Sequence, residues 1–373
     1  MKKYKLALIK QNVYGDLYVA KPFNKQPYKY SLKRSGPLGF FTAFETDFFI
    51  VNVDPSLECN TYKEKIYYCK HGTVEKHEKF KEKTINVEGK LLSQKDCSVN
   101  VDDIDFSIYD VVISIDIAIP TRILSKFPNI LWCYYISEPC MPTYQQSLSK
   151  PLFCYDIFLN QMFRNSNDFQ FLEQQLKGHI IDFPYCFMFP YIFHNLFGYA
   201  KRICKENEKL NIIIPNYVRK LLSDRQIAKI EESFQILTPG GCSDNFLKLL
   251  CQGDIYLRLG NKGKFGNETT EAVCAGAAFI STERGWRNRV YNIPGSTVRG
   301  LGFTEEQFNE ALKLLNTLNE NRENLEKIKT KQQQIAHYIC YQRPLSMLMN
   351  FLSQKKDSNQ VTNKKSFSDV LKS

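Results

Sequence analysis

Apolar residues along this chain come in short unbroken runs, separated by stretches that are polar or helically spaced. YKLALI (4–9), DFFIVNV (47–53), DVVISID (110–116), NILWCYYIS (129–137) and YDIFLNQMF (155–163) each read as a strand. They do not alternate polar with apolar, so both faces of each strand are covered, as in a parallel sheet. SGPLGFFTAF suggests a helix start, with Ser35 as N-cap and Pro37 in the first turn. PTRILSKFP reads as a short helix between two strands. Residues 54–100 are charged and irregular and predict a hairpin or excursion. Strand–helix alternation of this kind predicts a doubly wound sheet.

A Pro- and aromatic-rich segment, DFPYCFMFPYIFHNLFGYA (182–200), marks the crossing into a second domain. A new series then opens with KLNIIIPN (209–216). DRQIAKIEESF (helix), QILTPGG (strand and turn), NFLKLLCQ (helix), DIYLRLG (strand), TTEAVCAGA (helix) and AFIST (strand) come after it. This β-α-β-α-β-α-β order is a second Rossmann-like half. Thr304-Glu-Glu-Gln307 is a capping box, and Phe308, Leu312, Leu315, Leu325 and Ile328 keep amphipathic helical spacing after it. PLSMLMNFL (344–352) predicts one more helix. The expected architecture is α/β: domains at 1–185 and 200–335, a helix at 336–353 packing back on the first domain, and a disordered polar tail at 354–373.

Composition narrows the class. The 373 residues, 43% hydrophobic and 24% charged, fit a globular chain of two domains, not a fibrous or disordered one. A formal charge of +11 suits an anionic ligand or membrane surface. Lysine is spread along the chain, so a nucleic-acid partner is not expected. The twelve cysteines contain no C-x-x-C pair, and Cys133 and Cys274 sit in apolar runs like small buried apolar residues of a reducing compartment. Cys69, His71 and His77 are close in sequence but too few for a zinc site, so no metal is expected. The apolar run near the N-terminus is too short for a secretory signal, and no run reaches the roughly 18 residues of a membrane span. A cytoplasmic protein is expected, with peripheral membrane contact left open.

The sharpest chemistry lies in DIYLRLGNKGKFGNETTEAVCAGAAFIST (254–282). A strand ends at Leu259, a glycine-containing loop comes next, and a helix is expected from Thr269 or Thr270 with Glu271 in its first turn. The carboxyl end of the strand and the helix N-terminus would share one crevice, a place suited to phosphate. Gly260, Gly263 and Gly266 permit close backbone approach, and Lys262 and Lys264 add charge. Glu271 could accept from a ribose diol, or could simply offset the helix dipole; Asn267 and Thr269 could be only caps.

Glu271-Ala272-Val273-Cys274-Ala275-Gly276 followed by AAFIST resembles the E-A-x-x-x-G helix and short strand at the donor site of GT-B glycosyltransferases, especially family four. The resemblance implies two Rossmann-like domains facing a cleft, with C-terminal helices crossing back. It assigns Glu271 to the nucleotide ribose, with Asn267, Glu268, Thr270, Gly266 and Lys264 around the donor. In that family this Glu is the second of a pair with seven residues between them, and the first touches the sugar; here the first position is Gly263, with Glu268 or Asn267 as substitutes. Arg258 resembles an arginine some relatives carry before the loop. Arg219 and Lys220 in IIIPNYVRK match diphosphate-binding positions, and Gly240 and Gly241 in ILTPGG match the turn beside the base. The same layout puts acceptor-side groups after the strands of the first half, at Asp16, Asp116 and Glu138, any of which could serve as base or could be a turn residue. His179 and His194, near the linker, are given no role.

The resemblance implies transfer of a sugar from a nucleotide-sugar co-substrate of UDP or GDP type to a glycan, lipid or other acceptor, with retention of configuration and no bound cofactor. Two alternatives stay open: a GT-B nucleotide-sugar epimerase, and a non-enzymatic basic α/β protein that binds nucleic acid.

Overall fold

The computed structural model describes residues 4–11, 43–51, 66–69, 74–76, 84–87, 90–93, 98–99, 104–115, 119, 121–136, 155–160, 179–182, 201–205, 208–238, 249–260, 267–282, 288–299 and 303–370. These fall into two compact units. One takes the described residues up to Asp182 and from Gln342 onward, and the other those from Lys201 to Tyr341.

The first unit is built on an eight-stranded sheet. Its strands are β1 (Lys5–Gln11), β2 (Glu45–Val51), β3 (Ile66–Cys69), β7 (Ser98–Val99), β8 (Val111–Ile115), β9 (Leu131–Ile136), β10 (Ile157–Asn160) and β11 (His179–Asp182), in the order β11-β10-β9-β8-β1-β2-β3-β7. The six strands from β11 to β2 run parallel, and β3 and β7 add an antiparallel edge. The expected excursion is a separate antiparallel sheet of β4 (Val74–Lys76), β5 (Thr84–Val87) and β6 (Lys90–Ser93). A one-turn helix, α1 (Thr121–Leu124), stands between β8 and β9. Trp132, Tyr134, Tyr135, Phe106 and Phe158 are buried, with Phe106 5.4 Å from the Trp132 ring. Strand β11 had no counterpart in the sequence pattern: four residues with His and Asp at their ends are too few to show a period. The helix start expected at Ser35 lies outside the described residues.

The second unit holds a five-stranded, all-parallel sheet of β12 (Leu210–Ile213), β13 (Phe234–Leu237), β14 (Ile255–Arg258), β15 (Ala278–Thr282) and β16 (Thr297–Val298), in the order β13-β12-β14-β15-β16. Its helices are α2 (Asn216–Arg219), α3 (Asp224–Ser233), α4 (Asn267–Ala275), α5 (Glu305–Glu320) and α6 (Arg322–His337). The sheet's two faces differ because side chains alternate along a strand. Leu210, Ile212, Ile255, Leu257, Ala278 and Ile280 point into one apolar core with Ile230 of α3, Phe308 and Leu315 of α5, and Leu325 and Ile328 of α6. On β14 the alternate positions, Tyr256 and Arg258, serve the face that α4 covers.

Local signals explain the helix boundaries. The capping box at Thr304 forms: its hydroxyl accepts from Gln307 N at 3.2 Å while Gln307 Oε1 accepts from Thr304 N at 3.1 Å. A second box, Ser223 with Gln226, starts α3, and Gln226 Nε2 donates onward to Glu305 Oε2 at 2.6 Å, tying α3 to α5. After α6 the backbone takes one π-helical turn, Tyr338–Gln342, and continues as α7 (Arg343–Val370), which lies against β9 and β11 of the first unit.

The length of α7 corrects the expected tail: the helix carries on through 354–370. Two lysines on it find partners at the amino ends of the strands. Lys355 Nζ binds Asp156, whose carboxylate also accepts from Trp132 N. Lys356 Nζ binds Asp110 Oδ1 at 2.7 Å and lies 4.2 Å from the centre of the Tyr4 ring. A polar composition that looked unable to fold alone is held by groups more than a hundred residues away.

Candidate nucleotide-sugar site

In an open parallel sheet, ligands bind outside the carboxyl ends of the strands where the strand order reverses. In the second unit that point lies between β12 and β14. Three segments meet the carboxyl edge there: α2 after β12, Thr238 after β13, and the start of α4 after β14.

Arg258, the last residue of β14, is 5% exposed. Its Nη1 donates to Thr269 Oγ1 at 3.2 Å, and its guanidinium carbon lies 5.4 Å from the centre of the Tyr217 ring in α2. Tyr256, two residues earlier on the same face, donates its hydroxyl to Glu268 Oε2 at 3.0 Å. The buried Tyr217 hydroxyl lies beside that of Tyr256 and makes no hydrogen bond of good geometry to a described residue. Burial pushes both phenols above their ordinary range, with Arg258 pulling the other way, so both stay protonated as donors. Arg219, exposed at the end of α2, donates to Thr238 Oγ1 at 2.9 Å. Lys220 beside it is exposed. Arg258, Glu268, Arg219 and Lys220 thus stand on segments at this one edge.

Glu271 needs a correction. Helix α4 begins at Asn267, so Glu268, not Glu271, occupies its first turn. Thr269 and Thr270 are not needed as caps, because their hydroxyls are used inside the unit: Thr269 by Arg258, and Thr270 by the Tyr291 hydroxyl at 3.0 Å. Glu271 falls a turn further along and is 1% exposed, near the Cys274 thiol. Gly276, the last residue of the E-A-x-x-x-G pattern, has a backbone role. It ends α4 with φ +107°. Its N–H and that of Ala277 both return to Ala272 O, at 3.1 and 3.0 Å, a left-handed cap that favours glycine. Residues Lys262, Gly263, Lys264, Gly266, Gly240, Gly241, Asp16, Asp116, Glu138 and His194 lie outside the described residues, as does the side chain of Asn267. His179 opens β11.

Sequence reading missed Tyr217, Tyr256, Thr238 and Tyr291. A signal existed for one of them: in IYLR the tyrosine and the arginine are two apart and share a face, and a buried tyrosine needs a partner for its hydroxyl. Cys133, Cys251, Cys274 and Cys340 are buried thiols outside any disulfide, and burial raises all four, Cys251 and Cys340 to about 12. No group of His, Cys, Asp and Glu among the described residues could hold a metal ion. No helix among them is long and apolar enough to cross a membrane.

No family model and no curated protein matches the chain. Solved structures do. An alpha-glucosyltransferase in complex with UDP-glucose and DNA containing an abasic site superposes with a TM-score of 0.52 at 11% identity, over 94% of this chain and 99% of that one. Sucrose-phosphate synthase from Thermosynechococcus elongatus gives 0.47 at 10% identity, over 96% and 100%. The pneumococcal O-GlcNAc transferase in complex with UDP and GlcNAc gives 0.38 at 14% identity, over 78% and 67%. With two units each built on a largely parallel sheet, the chain has the fold of the GT-B glycosyltransferases, the family its 254–282 segment resembles.

Proposed function

We propose that this protein is a glycosyltransferase that binds a nucleoside diphosphate sugar at the carboxyl edge of β12 and β14. The observation that carries the reading is Arg258: a nearly buried guanidinium at the end of the central strand, at the reversal of strand order, next to the first turn of α4. The likeness in fold to an alpha-glucosyltransferase bound to UDP-glucose supports it. Transfer breaks the bond between the anomeric carbon and the diphosphate oxygen, joins that carbon to an acceptor oxygen, and leaves charge on the departing diphosphate. Arg258, with Arg219, Lys220 and the α4 amides, would stabilise that charge, and in a site poor in water such stabilisation is worth several kcal/mol. Glu268 and the Tyr217 hydroxyl would hold sugar or ribose hydroxyls. Glu271, 1% exposed on α4, would take the nucleotide ribose, the role the resemblance gives it. The remaining donor-side candidates, Asn267, Thr270, Gly266, Lys264, Gly240 and Gly241, belong to the same edge by sequence position. Asp16, Asp116 and Glu138 are the acceptor-side candidates; one of them would take the proton of the acceptor hydroxyl if the reaction inverts, whereas with retention that proton passes to the departing diphosphate oxygen. In this reading the donor is of UDP or GDP type, the acceptor is a glycan or a lipid-linked sugar, and the sugar keeps its anomeric configuration.

A thermal-shift panel of nucleoside diphosphates and their sugars tests the donor site. Ligand at about 100 times its Kd stabilises by about 2.7 kcal/mol, a plain rise in Tm. A rise with one base, reduced at least about tenfold in affinity by Arg258→Gln and by the exposed pair Arg219→Ala with Lys220→Ala, is the expected outcome. Tritium-labelled donor then reports transfer to glycan, lipid-linked and duplex DNA acceptors. Absence of a shift with every nucleotide, in protein that melts cooperatively, overturns the reading.

A further inference from the structure

The opposite edge of the same sheet holds a cavity of about 320 Å³, at the amino ends of β12 and β14. Five cations line it, Lys201, Arg202, Lys205, Arg322 and Lys329, against two carboxylates, Asp254 and Glu326. Glu208, just outside the lining, also takes a bond from Arg202 at 3.2 Å, and with it counted the cations still exceed the carboxylates by two.

The charges are arranged in layers. At the bottom Asp254, 1% exposed, takes Asn211 N at 2.9 Å, Lys329 Nζ at 3.3 Å and Arg202 Nε at 3.7 Å. Lys329 divides itself between Asp254 and Glu326 Oε1 at 2.7 Å, so the buried charge is matched. Toward the rim the cations outnumber the carboxylates. Arg202 Nη2 donates to Glu208 Oε2 and Lys209 O at 3.2 and 3.0 Å, and Arg322 donates to Asn319 O, Asn319 Oδ1 and Glu208 O at 2.9, 2.8 and 3.1 Å. Arg202 Nη2 and Arg322 Nη1 also turn to the Cys204 sulfur, at 3.6 and 3.4 Å. A neutral thiol is a weak acceptor for a guanidinium, whose fork fits the oxygens of a phosphate far better. Among the described residues the Lys201 ammonium pairs with Glu326, at 3.7 Å, and its stem crosses Gly276, where an added Cβ would come within 2.9 Å of it. Lys205 is exposed, and between these cations Ile203 stands 87% exposed.

We infer that this cavity is a binding site for a phosphate group, separate from the nucleotide edge, with Arg202 and Arg322 as the fork and Lys201 and Lys205 as the rim. An anion of two charges would neutralise the excess and replace the thiol by oxygen acceptors. Both a soluble phosphorylated molecule and the headgroup of an anionic lipid present this group; in the second case Ile203 would enter the acyl boundary.

Calorimetric titration with pyrophosphate, together with sedimentation with phosphatidylglycerol–phosphatidylcholine vesicles and with phosphatidylcholine alone, tests the site and its source. The exposed pair Lys201→Glu with Lys205→Glu should lower pyrophosphate affinity at least about tenfold, since each surface lysine contributes about 1 kcal/mol toward an anion. Pyrophosphate is also the diphosphate of the proposed donor, so a second binding event at the nucleotide edge is expected, and Arg219→Ala with Lys220→Ala should weaken that event while changing the one lost in the Lys201/Lys205 variant less than twofold. Binding of pyrophosphate without vesicle binding assigns a soluble ligand; vesicle binding that needs phosphatidylglycerol and is lost in the Lys201/Lys205 variant assigns a headgroup. The inference is overturned if neither probe binds, or if the Arg219/Lys220 variant loses the binding and the Lys201/Lys205 variant keeps it. Circular dichroism melts confirm that each variant is folded, and nucleotide shifts measured on both report the donor reading independently.

Discussion

The two edges of the second unit's sheet bury polar groups in opposite ways. At the amino edge charge is met by charge: Asp254 and Lys329, both nearly inaccessible, lie 3.3 Å apart. At the carboxyl edge a buried guanidinium is steered by a hydroxyl and an aromatic ring, Thr269 and Tyr217, and the Tyr217 hydroxyl makes no hydrogen bond of good geometry to a described residue. A matched buried pair is destabilising mainly when one partner is removed. A group left with spare hydrogen-bonding capacity costs stability without a ligand and gains when one arrives. Asn211 Oδ1, at the amino edge, is likewise without a partner among the described residues, so the contrast between the edges rests on the Asp254–Lys329 ion pair at one and on the hydroxyl and ring that meet Arg258 at the other.

The comparison can be broken most directly at Asp254. Asp254→Ala leaves the nearly buried Lys329 with Glu326 alone and takes the acceptor from Asn211 N, and a loss of up to about 3–5 kcal/mol in urea unfolding is expected, with nucleotide affinity of the folded fraction unchanged. Adding Lys329→Met should recover much of the loss; equal destabilisation in single and double variants would show that the pair is not the anchor. Gly276→Ala comes next. An alanine there must hold a left-handed φ of +107° and displace the Lys201 stem, so a cost of about 1–3 kcal/mol is expected by the same measurement. The smallest effect on stability belongs to the carboxyl edge. Tyr256→Phe removes one hydrogen bond to Glu268, which is partly open to solvent, and should cost only about 0.5–1.5 kcal/mol. It should nonetheless alter nucleotide-sugar affinity more than Asp254→Ala does, because Glu268 loses the group that orients it. The opposite ranking in a binding titration would remove the distinction between the edges.

Much of the second unit was legible in its residues alone. The apolar runs at 209–214, 254–259 and 278–282 are long and continuous enough to declare buried parallel strands, and Thr304 and Gln307 form the capping box their spacing implies. The site was legible only in outline. Arg258 could be picked from its place at a strand end, but its partners could not, because Thr269 and Tyr217 are 11 residues later and 41 earlier, and only the sheet brings them together. Glu271 was misplaced by one turn because threonines in ETTEAV look like caps, whereas tertiary partners claim both hydroxyls.

Local sequence thus determined what local physics can enforce: strand runs, helix starts, and the left-handed stop at Gly276 once a helix precedes it. Tertiary structure alone decided the register that sets Asp254 beside Lys329 across 75 residues, the long helix α7 held by Asp110 and Asp156, and the meeting of Arg202 and Arg322 at Cys204. The reason is the same in each case. A charged or polar side chain takes its energy from the partner it finds, and that partner is chosen by the packing of distant strands and helices, which the residue's own neighbours in sequence do not specify.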